Sequence, residues 1–206
     1  MSLILLEQPA CEPINLLETK IFLRLEGAEE DEILKNLIKT ARQAVEAYTA
    51  RSLICQSWRF RINLAYCLSI SDDLYLTGQK SRGSKGLEIP RSPFIKLLDK
   101  PKLINDYGSR EISGYRLDTA GRVAKMHFSN LQTNAFHSQS LIQIDFSAGY
   151  GDTVKDVPDP LRQAILMMVA DLYEKRVGVN DNRGLPPVLS PGALELVKPY
   201  RVSRLA

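Results

Sequence analysis

The chain has no long apolar run, no internal repeat and no low-complexity tract, and it is poor in the residues that carry most catalysis. Only two histidines occur in its 206 residues, His127 and His137. Neither has a Cys, Asp or Glu at a metal-ligand spacing, so both read as packed or solvated, and no metal or cofactor is expected. Gly-x-Ser-x-Gly, His-Glu-x-x-His and Gly-x-x-x-x-Gly-Lys-Ser/Thr are all missing, which removes the usual signatures of a nucleophile elbow, a zinc-protease helix and a phosphate loop. Three cysteines, Cys11, Cys55 and Cys67, make an odd count without Cys-x-x-Cys spacing. That argues against a disulfide framework and fits a reducing compartment. Cys55 and Cys67 flank a strand-like run and read as small buried hydrophobes. The opening segment, Met1 to Leu6, is apolar but far too short to span a bilayer and lacks a basic leader and a cleavage site. A soluble intracellular product with no membrane contact is expected.

What remains is the composition of an ordinary folded protein, 44% hydrophobic and 25% charged. A chain of this length buries roughly 70% of its unfolded surface and needs no staple. The net charge of +3 is too small to argue for nucleic acid, but it is unevenly spread. Residues 1–50 carry 5 basic and 9 acidic side chains, residues 51–150 carry 14 and 8, and residues 151–206 carry 8 and 7. Such a pattern suits head-to-tail contact between copies, a basic surface facing a polyanion, or no partner at all.

Helix signals bracket the chain. Asn15 with Glu18 has capping-box spacing, and the short, very apolar run from Leu16 to Arg24 follows, with Gly27 as its stop. From Glu29 to about Arg51, Ile33, Leu34, Leu37, Ile38, Ala41, Ala44, Val45 and Tyr48 recur at helical intervals. Glu29, Glu30, Asp31 and Glu32 crowd the start, where the helix dipole favours negative charge. A third helix is expected to begin with Asp159 as N-cap and Pro160 at N1, to bury Leu161, Ile165, Met168, Val169, Leu172 and Tyr173, and to end near Arg176 before Gly178. Ser190-Pro191 repeats the cap-then-proline signal for a short helix to about Lys198.

Between them the period changes to two. Trp58-Arg59-Phe60-Arg61-Ile62-Asn63-Leu64 alternates large apolar with polar residues, as in a half-buried strand. Shorter strands are expected at Leu74–Leu76, Leu87–Ile89, Phe94–Leu98 and Lys102–Asn105. Tyr115–Asp118 and Arg122–Phe128 read as a hairpin with Gly121 able to take a positive φ. Leu141–Phe146 is the last strand, ended by a turn at Gly149-Tyr150-Gly151. The expected class is therefore α+β, an antiparallel helical bundle (helices near 15–25, 29–51, 159–177 and 190–198) with an inserted antiparallel β-rich region. In domain terms this is one domain over 1–206, with a helical core of 14–52 and 158–198, a β insertion of 53–150 and a flexible tail of 199–206.

Candidate contact residues are few. Lys80, Arg82 and Lys85 on the basic segment 79–86 could meet phosphates or a partner, although no aromatic residues interleave with them to stack on bases. Tyr200, Arg201 and Arg204 in the basic tail are residue types enriched at interface hot spots. Asp72-Asp73 and the acidic helix start could hold a divalent ion, but a turn and the helix dipole already explain them.

Several segments together resemble one family, the head–tail connector (adaptor) proteins of long-tailed phages, prophages and gene transfer agents. They are Glu30-Asp31-Glu32-Ile33-Leu34 running on from Leu37 to Arg51, then Gln56-Ser57-Trp58 and Ile89-Pro90-Arg91-Ser92-Pro93-Phe94. Phe146-Ser147-Ala148-Gly149-Tyr150-Gly151 and Val157 to Ile165 follow, and Asp171 to Arg176 comes last. Two positions depart from the family pattern: Ala50 stands where Gly is expected before the arginine, and Ser92 where a second proline-type residue is common. The resemblance implies a non-enzymatic subunit that assembles in the bacterial cytoplasm and ends in the neck of a virion or phage-like particle. It implies a ring, dodecameric by analogy with portals, placed between the portal protein and a tail-side connector or terminator around the path of DNA. A DNA-binding accessory module is the alternative.

Overall fold

The computed structural model describes residues 1–64, 86–128, 140–174 and 189–202. Four helices are seen, α1 (Leu16–Leu23), α2 (Asp31–Thr49), α3 (Asp159–Glu174) and α4 (Pro191–Val197), the last running into a 3-10 turn at Lys198–Tyr200. Nine strands, β1 (Ser2–Glu7), β2 (Gln56–Asn63), β3 (Leu87–Glu88), β4 (Phe94–Leu97), β5 (Lys102–Asn105), β6 (Gly108–Glu111), β7 (Tyr115–Asp118), β8 (Lys125–Phe128) and β9 (Leu141–Ala148), and a further 3-10 turn at Val154–Asp156 complete the described elements. The α+β class is as the sequence implies, but the element order differs at its start, where a strand, β1, precedes the two helices. The strand expected at Leu74–Leu76 lies outside the described residues.

The chain divides into two units, one of residues 1–8 and 56–149 and one of residues 9–55 and 150–206. In the β-rich unit the main sheet runs β1-β2-β9-β5-β6, with β4 also on β9, and every pairing is antiparallel. Alternation in β2 and β9 sends Trp58, Phe60, Ile62, Ile142, Ile144 and Phe146 to the buried face. Phe94 stacks on Phe146 with ring centroids 6.2 Å apart. A smaller sheet, β3-β8-β7, adds Leu87 and Met126 to the same core.

The apolar opening segment is not idle: as β1 it pairs with β2 from Ser2↔Arg61 to Glu7↔Ser57. The expected hairpin forms, with Tyr115 opposite Phe128 and Asp118 opposite Lys125. Gly121, however, does not take a positive φ. The connection spans residues 119–124, long enough to reverse without a left-handed residue, and Asp118 Oδ1 accepts the Ala120 N–H at its start.

In the helical unit, Ile38, Ala41 and Val45 of α2 pack with Leu161, Ala164, Ile165, Met168 and Val169 of α3 and with Ala193 and Val197 of α4. Leu53, Ile54 and Val157 belong to this core too. Asn15 caps α1 as expected, its Oδ1 accepting the Glu18 N–H at 2.7 Å. The helix stops before Gly27, because Arg24 turns left-handed (φ 56°) and the Leu25 N–H reaches back to the Lys20 carbonyl. Asp159 is not the N-cap of α3. The helix starts one residue sooner, on the Pro158 carbonyl, which accepts the Arg162 N–H, and the Asp159 carboxylate pairs with Arg162 instead.

Candidate interaction surfaces

The buried side of α2 is partly ionic. Arg42 and Glu46, four residues apart, are both buried and pair at 2.8 Å, while Arg42 Nε also reaches Glu12 at 2.7 Å. The second Glu46 oxygen accepts the Leu53 N–H at 3.0 Å. The buried stripe of α2 therefore runs through Leu34, Ile38, Ala41, Arg42, Val45, Glu46 and Thr49, turned from the purely apolar one. These groups satisfy one another and hold the chain leaving α2 against the helix. Sequence reading missed them, although an Arg–Glu pair at i,i+4 beside an apolar stripe is a visible signal.

The exit from α2 also receives the end of the chain. Arg51 Nε donates to the Tyr200 carbonyl at 2.6 Å, and the Val202 N–H donates to the Thr49 carbonyl at 3.0 Å. The Arg201 guanidinium lies over the Tyr48 ring, 5.2 Å from its centroid, and that of Arg51 lies 5.8 Å from the Tyr150 centroid. Burial pushes the Tyr150 hydroxyl above its ordinary pKa, against the opposing pull of Arg51. Through Val202, then, the segment expected to be a flexible, extended tail is bound to α2, because its backbone has partners there. Arg204 lies outside the described residues, as do Lys80, Arg82 and Lys85.

On the β-rich unit the polar face of the main sheet carries a ladder of side chains. Arg59 bonds both oxygens of Asp145, opposite it on β9, at 2.9 and 2.7 Å. Arg61 Nε donates to Gln143 at 2.8 Å, and Gln143 donates on to Asp145 at 3.3 Å. Lys102 sits across from Gln143 and pairs with Asp99, whose carboxyl this contact holds below its ordinary pKa. The result is a polar, mildly cationic surface whose charges are largely matched.

Among the described residues no group of three or more His, Cys, Asp or Glu is placed to hold a metal ion. At the acidic helix start Asp31 pairs with Lys20, and Glu30 accepts the Tyr173 hydroxyl at 2.5 Å. Asp72, Asp73, Cys67 and His137 lie outside the described residues. Burial first, and then Glu12 and Asp152, raise the Cys11 thiol above its ordinary pKa. Gly149 (φ 154°) ends β9, and a side chain at Gly151 would run into the Asp156 carboxylate. The Gly-Tyr-Gly run is thus the strand-ending turn that the sequence suggests. Among the described residues, no helix is long and apolar enough to cross a membrane.

Residues 13–90 match the family described as phage gp6-like head-tail connector protein. No curated protein matches at a significant level. Solved structures do. A chain from the neck of an empty gene transfer agent particle, computed with C6 symmetry, aligns with a TM-score of 0.70 at 21% identity, covering 100% of this chain and 98% of that one. One from the virion of a native gene transfer agent particle gives 0.72 at 20%, again over 100% and 98%. One from the neck of a native particle, computed with C12 symmetry, gives 0.63 at 22% over 98% and 97%. At these identities the likeness is one of fold, and it runs the whole length of the chain.

Proposed function

We infer that this chain, whose residues 13–90 match the head–tail connector family, is a structural connector subunit that joins the capsid of a phage-like particle to its tail. The observation that carries the reading is the coincidence of that match with end-to-end fold likeness to chains from particle necks and virions. The described surfaces agree with it physically. Several of their ionisable groups pair with one another, as Arg42 does with Glu46 and Arg59 with Asp145. We propose a role without bond-making chemistry, in which both units work as a single connector.

The finer proposal is a ring of twelve copies between the portal and a tail-side connector or terminator, with DNA passing through. Twelve is favoured by the usual symmetry of portals and by the C12 symmetry of one matched neck. A matched-charge surface suits such a duct, because strongly unpaired cations would bind DNA phosphates and slow transit. Assembly would take place in the bacterial cytoplasm, and the ring would end in the particle neck. Lys80, Arg82 and Lys85 are proposed to touch DNA or a ring partner, and Tyr200, Arg201 and Arg204 to dock on the portal.

One assay tests these points together: purified chain is added to filled heads that lack it, and bound copies are counted after sedimentation. About twelve per head are expected, by analogy with portal symmetry. Failure to bind heads at all would overturn the reading. Removing residues 203–206, which leaves the bonds of Tyr200 and Val202 in place, should weaken binding; undiminished binding would discard the portal-docking tail. Replacing Lys80, Arg82 and Lys85 together by Ala should flatten the salt dependence of joining, and an unchanged slope would discard their contact role.

A further inference from the structure

The main sheet of the β-rich unit has two open edges that fit one another. On one side β1 is the outermost strand. On the other side β9 carries β4 along residues 146–148 and β5 along residues 141–143, so β4 is outermost at the level of β1. The register across the sheet puts Leu5, Trp58, Phe146 and Leu97 in one row. The row on one side of it is Glu7, Ser57, Ser147 and Lys96. The row on the other side is Ile4, Arg59 and Asp145, whose carbonyl accepts the Leu98 N–H at 2.9 Å.

Direction and backbone bonding agree with a contact between these edges. Three antiparallel steps separate β1 from β4, so the two strands run opposite ways. A second copy displaced sideways along the sheet therefore sets its β1 antiparallel to the first copy's β4. The Leu64 N–H bonds the Ser140 carbonyl, so Trp58 and Phe60 bond toward β9 and Arg59 toward β1, which turns the Leu5 N–H and C=O outward. On β4 the bond from Leu98 to Asp145 leaves those of Leu97 outward too. Leu5 opposite Leu97 is thus a pair able to exchange both hydrogen bonds.

The side chains match in the same register. Ile4 is 43% exposed and Leu98 44%, and each would cover the other. Lys96 is exposed and without a described partner. A lysine on an edge deters strand addition unless an acid meets it. Glu7 is that acid: one of its oxygens accepts the Ser57 hydroxyl at 2.6 Å, and the other is left for Lys96. β1 itself has neither proline nor lysine to keep a further strand away.

We propose that β1 of one copy adds to β4 of the next, Leu5 opposite Leu97, so that the main sheets of neighbouring copies run on around the ring. The proposal rests on the connector reading. Its two halves are different edges, so the contact is heterologous and leaves one of each free on every added copy. That is what closing a ring of more than two subunits requires. Backbone bonds hold the strands together, and Glu7 against Lys96 sets the register.

Ile4 and Leu98 would form a pair without mutual hydrogen bonds, whose Cα atoms stand about 4.5 Å apart, close enough for a disulfide. The test mixes two full-length chains equally, one with Ile4→Cys and one with Leu98→Cys, and lets them bind filled heads that lack the chain. After mild oxidation, mass spectrometry of the head-bound material should find a disulfide that joins position 4 of one chain to position 98 of the other. Head-bound chains without that bridge, or bridged between two copies at position 4, would overturn the proposal and leave the connector reading standing. Failure of the unsubstituted chain to bind heads would overturn both. Charge reversal is the second measure. Glu7→Lys alone and Lys96→Glu alone should each weaken self-association several-fold, and the two together in one chain should restore it. Undiminished association in the single variants, or no recovery in the double one, would overturn the contact.

Discussion

Glu46 bonds both the buried Arg42 and the Leu53 N–H. Removing its carboxylate leaves a buried guanidinium with only the half-exposed Glu12 for company. Glu46→Ala is therefore expected to cost about 3–5 kcal/mol in denaturant unfolding, the usual loss when one partner of a buried pair is deleted. A cost under 1 kcal/mol would mean that the pair is not buried as described. Ala50 is the opposite case. It sits at φ 56°, ψ 31°, a conformation in which a Cβ crowds the backbone, so Ala50→Gly should stabilise the fold by about 1 kcal/mol in the same measurement. The family pattern, with glycine before the arginine, is thus explained by the left-handed end of α2.

At the scale of elements, α1 and β1 show which signals the sequence carried and which it did not. The long helices were legible because their apolar residues recur at three- and four-residue intervals over many turns, and β2 because alternation is strict from Trp58 to Leu64. Helix α1 was legible as a helix from its cap. Its orientation was not, because an apolar run reads as a buried one, whereas Leu17 and Ile21 are exposed and Glu18 and Lys20 form ion pairs with Arg162 and Asp31. Strands β1 and β6 went unread for a different reason. β1 carries an unbroken apolar run from Leu3 to Leu6 and β6 is exposed throughout, so neither sequence alternates, and each is a strand through pairing with a distant or adjacent partner. The ionic stripe of α2 and the return of Tyr200 to Arg51 depend on contacts between segments far apart in sequence, which periodicity does not report. For α1 the expected outcome is specific. Arg162 donates to the Pro13 carbonyl as well as to Glu18, so Arg162→Ala should speed amide exchange in α1 several-fold while leaving α2 protected. Equal protection in both variants would mean that packing alone holds the helix.

For the whole molecule, the account is one of surfaces. The helical unit buries an apolar core around α2 and α3, the β-rich unit buries another around β2 and β9, and ion pairs such as Arg42 with Glu46 and Arg59 with Asp145 lie beside them. Tyr200 and Arg201 are held on α2, and Lys80, Arg82, Lys85 and Arg204 fall outside the described residues. The fold carries the functional reading further than any single residue does. The most direct measurement is a count of joined particles by electron microscopy, in cells that build the particle with and without this chain. Without it, DNA-filled heads and finished tails should accumulate apart, and supplying the chain should restore joining. Heads and tails joined at the normal frequency in its absence would contradict the account.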